Sequence, residues 1–191
     1  FGVMRHFNFT DYAGSDFLSQ QSRFGVYGQA EFGFRDYLFL TVAARNDWTS
    51  TLEQENNAQF YPSVALAADL TNAIESLKDS DWLTYAKVRA AYGTSANFPG
   101  PYTTRNILAL NSRAFVDPTG QVVTSNLVAN GLGNPNLQPE LIEEVELGLE
   151  LNMFNNRVRA DISAFQKNTN DLILNQGLDP ATGFTGTLVN A

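Results

Sequence analysis

A period of two is the feature that most constrains this chain. In residues 141–151, LIEEVELGLEL, Leu141, Val145, Leu147, Leu149 and Leu151 share one parity. Glu144, Glu146, Gly148 and Glu150 share the other, with Glu143 an exception near the start. Successive side chains of an extended strand point to opposite faces, so the segment reads as a strand with one aliphatic and one charged face. The pattern returns in RVRADISAFQK, where Val158, Ala160, Ile162 and Ala164 oppose Arg157, Arg159, Asp161, Ser163 and Lys167. Residues 152–156 turn the chain between the two, which makes them a hairpin.

The same alternation organises the first half of the chain. Phe24, Val26, Gly28, Ala30 and Phe32 oppose Gly25, Tyr27, Gln29 and Glu31, and after a short turn at 33–36 Leu38, Leu40, Val42 and Ala44 repeat the apolar parity. FYPSVALAADL follows, with Pro62 near its start, where a missing amide donor is tolerated. LTYAKVRAAY has a thinner apolar face of Ala86, Val88, Ala90 and Tyr92. The expected fold is therefore all-β, an antiparallel meander of long strands near 24–32, 37–46, 60–70, 83–92, 141–151 and 157–167, in one domain over 1–191. Asn72 and Glu75 have the spacing of a capping box, which predicts a short helical turn within 71–82.

Connection lengths discriminate between architectures. Turns at 33–36 and 152–156 are short, 71–82 is intermediate, and 47–59 and 93–139 are long, so the longest loops fall at one end of the sheet. Outer-membrane barrels have that asymmetry, with short turns on one side of the membrane and long loops on the other. Tyr37, Phe60, Tyr61, Tyr85, Tyr92 and Phe154 stand near strand ends, as interfacial girdles require. The two-sided strands alone also fit a soluble sandwich with one wet face.

Composition removes several functions. A formal net charge of -8 and the absence of any Arg or Lys cluster argue against nucleic acid. No Cys and one His, His6, leave no thiolate or multi-histidine metal site, and no cofactor is expected. His6 itself reads as a loop residue. Glycines 93, 100, 120, 131 and 133 lack the strand or helix context of a phosphate cradle. The alternating glutamates of 143–150 read as a water-facing stripe, since glycoside hydrolysis needs a positioned pair in a cleft. No catalytic residue is expected, and the chain does not read as an enzyme. No stretch approaches the roughly 18 to 20 apolar residues of a membrane-spanning helix, which leaves spanning strands open.

Four stretches, in order, carry a family resemblance. They are Arg35-Asp36-Tyr37-Leu38 with Ala44-Arg45-Asn46-Asp47; Phe60 to Leu66; Trp82-Leu83 through Lys87 to Gly93; and Asn134-Pro135-Asn136-Leu137 with Glu140, then Phe154 to Val158 and Asn170-Asp171-Leu172. Over residues 24 to 175 the chain resembles the C-terminal barrel portion of SusC/RagA-type TonB-linked outer-membrane transporters. The resemblance implies a segment of a 22-stranded transmembrane barrel of the bacterial outer membrane. It implies import of large nutrients, oligosaccharides or peptides, beneath a SusD-like surface lipoprotein and driven by TonB. Loops 47–59 and 93–139 would be extracellular, and the other connections periplasmic. A signal peptide, TonB box, plug and closing terminal strand are not recognisable, so the chain is expected to be one part of a larger protein that meets TonB through other parts.

The expected site residues follow from this frame. Trp48 in the first long loop, and Phe98, Tyr102 and Phe115 in the second, are aromatics in polar loops, suited to stacking on substrate or to anchoring their own loop. Glu144, Glu146, Glu150, Arg157, Arg159 and Asp161 would form a polar stripe facing the lumen, with the aliphatic face against outer-membrane lipid. Two other readings stay open at this point. One is a soluble or surface β-domain that binds carbohydrate through loop aromatics, and the other is a small closed porin-like barrel of about eight strands.

Overall fold

The structure, a computed structural model, describes residues 18–191, with backbone alone for 109–116 and 122–125. His6 lies outside the described residues. Six strands form one antiparallel sheet in the order β1 (Arg23–Phe34), β2 (Leu38–Thr49), β3 (Ala58–Asp69), β4 (Leu83–Asn97), β8 (Glu140–Met153) and β9 (Val158–Asn170). Each strand pairs with its sequence neighbour except where 98–139 intervenes between β4 and β8. The sheet does not close on itself: β1 and β9 are its edges.

Register fixes the two faces. One row of partners runs Phe32, Leu40, Leu66, Ala90, Leu147, Ala164, and the next runs Phe34, Leu38, Ala68, Val88, Leu149, Ile162. These rows are apolar yet not buried: Leu147 stands at 60% and Ile162 at 61% of full accessibility, while Leu38, Leu40, Val88 and Leu149 are half-buried by their neighbours. Water would oppose so large an apolar face, whereas hydrocarbon would accept it. The opposite parity carries the charges of the sheet, Glu143 excepted.

The apolar band slants across the sheet. Its lower limit is the hairpin closure, Phe34 with Leu38 between β1 and β2 but Met153 with Val158 between β8 and β9, four residues further along the rows. Its upper limit moves the same way: the outward parity turns polar at Asn46 in β2, at Glu143 in β8 and at Gln166 in β9, successive steps along the rows. A shift of about one residue per strand, about 3.4 Å against a strand spacing of about 4.8 Å, corresponds to a tilt of about 35°. Membrane barrels tilt their strands by about 35 to 45°. On β8 the band from Val145 to Met153 then spans about 22 Å along the membrane normal, close to the ~25 Å apolar belt of such barrels.

The ends of the sheet differ in kind. At the lower end, Arg35 and Asp36 adopt positive φ in the first tight turn, and Phe154, Asn155 and Asn156 do so in the second. Asn and Asp tolerate that conformation because their side chains bond locally, while the Phe154 backbone is held at both sides, its N–H donating to Trp82 O at 2.8 Å and its carbonyl accepting from the Arg157 amide at 3.3 Å. The third lower connection holds two one-turn helices, α1 (Leu70–Ala73) and α2 (Glu75–Lys78). The cap of α1 is Asp69, which accepts from the Asn72 amide at 3.1 Å, in place of the Asn72 and Glu75 box expected from spacing. Asp69 wins because β3 delivers it in extended geometry directly before the helix.

At the upper end the long segment is not devoid of structure. β4 runs on to Asn97, and 98–139 contains β5 (Leu108–Val116) paired with β6 (Val122–Val128), and β7 (Gly131–Leu132). Past β9, β10 (Ile173–Gly177) and β11 (Gly186–Asn190) form a hairpin, and β11 pairs in parallel with β7. These strands are short and rich in Asn, Gly and Thr, so periodicity does not reveal them. Aromatics divide between faces by parity. Phe24 stacks on Trp48 with centroids 4.8 Å apart on the outward face, Phe60 stands on the same face of β3, and Phe154 is exposed in the lower turn after β8. Tyr61 and Tyr85 face the charged side and leave the expected girdle, because Phe60 takes the outward position next to Tyr61 and Ala86 the one next to Tyr85.

Leu147→Arg in the full-length, membrane-inserted protein is expected to cost about 2 to 4 kcal/mol in a denaturant titration, as a cation in hydrocarbon does. Glu146→Gln, on the other face, is expected to cost less than about 1 kcal/mol. Equal losses at both positions would place both faces in the same medium.

Candidate functional site: a charged face beneath a pinned loop cap

The charged face is a lattice of cross-strand ion pairs. Arg89 on β4 reaches Glu146 on β8 at 3.4 Å and Asp161 on β9 at 3.2 Å, crossing the intervening strand. Gly148 makes this crossing possible, since a Cβ there would fall 2.5 Å from Arg89 Cγ and closer still to Nε. Arg159 pairs with Glu150 at 2.5 Å and Lys167 with Glu144 at 3.3 Å. Each pair is partly solvated and adds little stability. Together they keep rigid, water-accepting groups along one surface. Glu144, Glu146, Glu150, Arg159 and Asp161 therefore share this face, whereas Arg157 belongs to the turn after β8, where a four-residue connection removes it from the strand.

A second device of the same kind stands near the upper end of β1 and β2. The Asp47 side chain is nearly inaccessible; its Oδ1 accepts from Arg45 Nε at 2.7 Å and its Oδ2 from the Tyr61 hydroxyl. Gly25, its partner on β1, leaves the space that the carboxylate occupies. Neither glycine was distinguishable in the sequence from a strand glycine without a role; the available signal is a Gly opposite or flanked by charged residues of the same parity.

Above the sheet, three loops interlock. Leu52 from the first loop, Phe98 and Leu137 from the second form a small buried core, with Ala96, Ile173 and Leu188 packed around it. Leu137 is completely buried and closes the Asn134-Pro135-Asn136-Leu137 turn, in which Asn134 Oδ1 accepts from the Asn136 amide at 3.0 Å. Asn134 Nδ2 donates to Leu188 O at 2.8 Å, and the Asn190 side chain accepts from the Gln138 amide while donating to Gln138 O and Asp171 O. Glu140 is buried, with Oε2 accepting from Asn97 Nδ2 at 2.6 Å and Oε1 from the Ile173 amide at 2.7 Å. Glu53 takes a two-point contact from Arg105 at 2.7 and 2.6 Å and accepts from Thr104 at 2.9 Å. Arg105 first, then Thr104, hold the Glu53 carboxyl well below its usual range, at about 2.

The four aromatics expected to meet substrate are not brought together. Trp48 lies in β2 rather than in the first loop, stacked on Phe24 on the outward face, where an indole suits the membrane interface. Phe98 is 8% exposed in the loop core, with the Arg23 guanidinium 4.3 Å above its ring, so it anchors its own loop. The Phe115 side chain lies outside the described residues. Tyr102, at φ 65° and 46% exposed, lines a cleft of about 270 Å³ with Arg105, Ile107, Asn175, Thr187 and Leu188. That cleft combines an aromatic ring with amide, hydroxyl and guanidinium groups, a set able to stack on and hydrogen-bond a polar ligand.

Gly148→Ala is expected to cost about 1 to 3 kcal/mol by overpacking against Arg89, while Gly28→Ala, with open space around a Cβ, stays within about 0.5 kcal/mol in the same unfolding assay. The Glu53 to Arg105 tether has a defined pH window. Because the folded carboxyl titrates below its ordinary value of 4.5, its contribution is complete above about pH 4.5 and is lost as pH falls through about 2. Spin labels at Gln54 and Pro101 should report a constant distance distribution from pH 7 to 4.5 that broadens as pH falls towards about 2, and Glu53→Gln should be broad at every pH.

Comparison with known proteins agrees with this geometry. The family model described as TonB dependent receptor-like, beta-barrel, matches residues 5–191. TonB-dependent receptor P26 of Formosa agariphila is 30% identical over 182 residues, which cover 95% of this chain and 17% of that protein. Thus the chain spans about a sixth of the length of the curated relatives it matches. Among solved structures, one described as the RagAB peptide transporter superposes with a TM-score of 0.76 at 24% identity, over 89% of this chain and 18% of that one. The siderophore receptor PirA from Pseudomonas aeruginosa gives 0.58 at 19%, over 90% and 29%. These relatives are receptors and transporters, not enzymes, and the likeness to an outer-membrane barrel replaces both the soluble-domain and the small-barrel readings. The slanted apolar band, the charged opposite face and the match over residues 5–191 together assign the chain to the TonB-dependent receptor family, as part of the wall of an outer-membrane β-barrel.

Proposed function

We propose that this segment lines the import path of a SusC/RagA-type transporter that carries large nutrients, oligosaccharides or peptides, through a 22-stranded barrel. The observation that carries this reading is the charged face: hydrogen-bonding groups of both signs line one surface of a sheet whose other surface suits lipid. A lumen wall of that kind offers water and polar solutes exchangeable partners without a deep trap. Glu144, Glu146, Glu150, Arg159 and Asp161 line the lumen, and Tyr102 in its cleft meets substrate at the extracellular mouth. Trp48 and Phe98 support the scaffold instead. The loop cap, pinned through Leu137, Asn190 and Glu53, is the platform on which a SusD-like surface lipoprotein sits, and TonB acts through parts of the protein beyond this segment.

The test uses the full-length receptor in its own cells, with a panel of fluorescently labelled oligosaccharides and oligopeptides. Uptake of one class that stops when the proton gradient is collapsed is the expected result; uptake of neither overturns the reading. Tyr102→Ala is expected to weaken binding of the transported class about tenfold without changing barrel assembly.

A further inference from the structure

The outward parity of the six-stranded sheet carries no Lys or Arg among the described residues, and one carboxyl, Glu143. Glu143 stands one outward position above Val145 on β8, level with Thr94 on β4 and Asn168 on β9. Its Oε1 accepts from the Tyr92 hydroxyl at 2.9 Å and its Oε2 from Asn170 Nδ2 at 3.0 Å. Both flanking strands are in place. What faces this group is therefore the medium outside the barrel and not a further strand.

The depth of the group is as informative as its direction. The apolar band ends directly beneath it, at Val145, and the long loops begin above it, so Glu143 lies at the headgroup level of the outer leaflet. A carboxyl with both oxygens already accepting is an acceptor, and about two lone-pair positions remain free. Asn168 and Gln166 stand exposed on the same parity of β9, each offering N–H donors and a carbonyl acceptor.

We propose that Glu143, Tyr92, Asn168 and Asn170 form a binding site for the saccharide headgroup of an outer-leaflet lipid. Sugar hydroxyls donate and accept together, as the amides and the Tyr92 hydroxyl do, and each can donate a hydrogen bond to a free lone pair of Glu143. A phosphate headgroup would meet a carboxylate with no cation on this face to offset it. An ammonium headgroup would pair with Glu143 but leave the amide N–H groups without acceptors.

Full-length receptor in nanodiscs of phosphatidylcholine doped in turn with monogalactosyl diacylglycerol, phosphatidylethanolamine or phosphatidylglycerol provides the test, read by native mass spectrometry of lipids retained on gentle activation. Expected is preferential retention of the galactolipid, reduced about tenfold by Glu143→Gln and unchanged by Thr169→Ala on the inward parity. Tyr92→Phe serves as a second variant, checked like the first for heat-modifiable mobility of the folded barrel, and is also expected to reduce retention. Preference for phosphatidylethanolamine would make this an ammonium site, and preference for phosphatidylglycerol, equal retention of all three, or full retention in both variants would each overturn the proposal.

Discussion

The backbone hydrogen bond in a medium without water governs this structure. In hydrocarbon each unpaired N–H or C=O costs several kcal/mol, so strands there must pair along their whole length and the sheet must end nowhere. The six strands of this chain satisfy that rule internally and leave β1 and β9 as the edges where neighbouring wall must join. Long strands, tight lower turns and the slant of about one residue per strand all follow from a sheet rolled into a tilted barrel. So does the distribution of side chains, since a rolled sheet has an outside and an inside and no third place.

Charge is then arranged within what the backbone permits. Arg89 can lie across β8 because Gly148 has no side chain, and Asp47 can be buried because Gly25 leaves it room. Both devices exchange side-chain volume for a charged group held flat against the sheet. A flat charged wall leaves the interior free, whereas the same Arg standing upright would obstruct it. Individual pairs of this kind contribute little to stability, and their effect is to orient.

The loop cap follows different physics. It has a small apolar core of Leu52, Phe98 and Leu137, and its cohesion comes from Asn, Glu and Arg side chains that satisfy loop backbone and one another. Long loops at the mouth of a barrel cannot borrow stability from lipid, so they supply their own anchors. Asn134 and Asn190 each join segments more than fifty positions apart, which is why the short motif around Asn134 matters beyond its own turn.

Periodicity in the sequence marked strands near 24–32, 37–46, 60–70, 83–92, 141–151 and 157–167, and which side of each is apolar, because side-chain direction in a strand is set by local geometry alone. The structure places Tyr37 and Arg157 in turns and Leu70 in a helix, one residue outside the strands themselves. Periodicity also determined that Glu144, Glu146, Glu150, Arg159 and Asp161 lie together, since alternation and a short turn suffice to align two neighbouring strands. Tertiary structure alone decided that Phe98 is an anchor, that Trp48 faces outward beside Phe24, and that Arg157 leaves the stripe. It also placed Glu140 and Glu53 in the loop cap, with strands inside 98–139. Each of those outcomes depends on a partner dozens of residues away or on where a turn closes, and no local period encodes either.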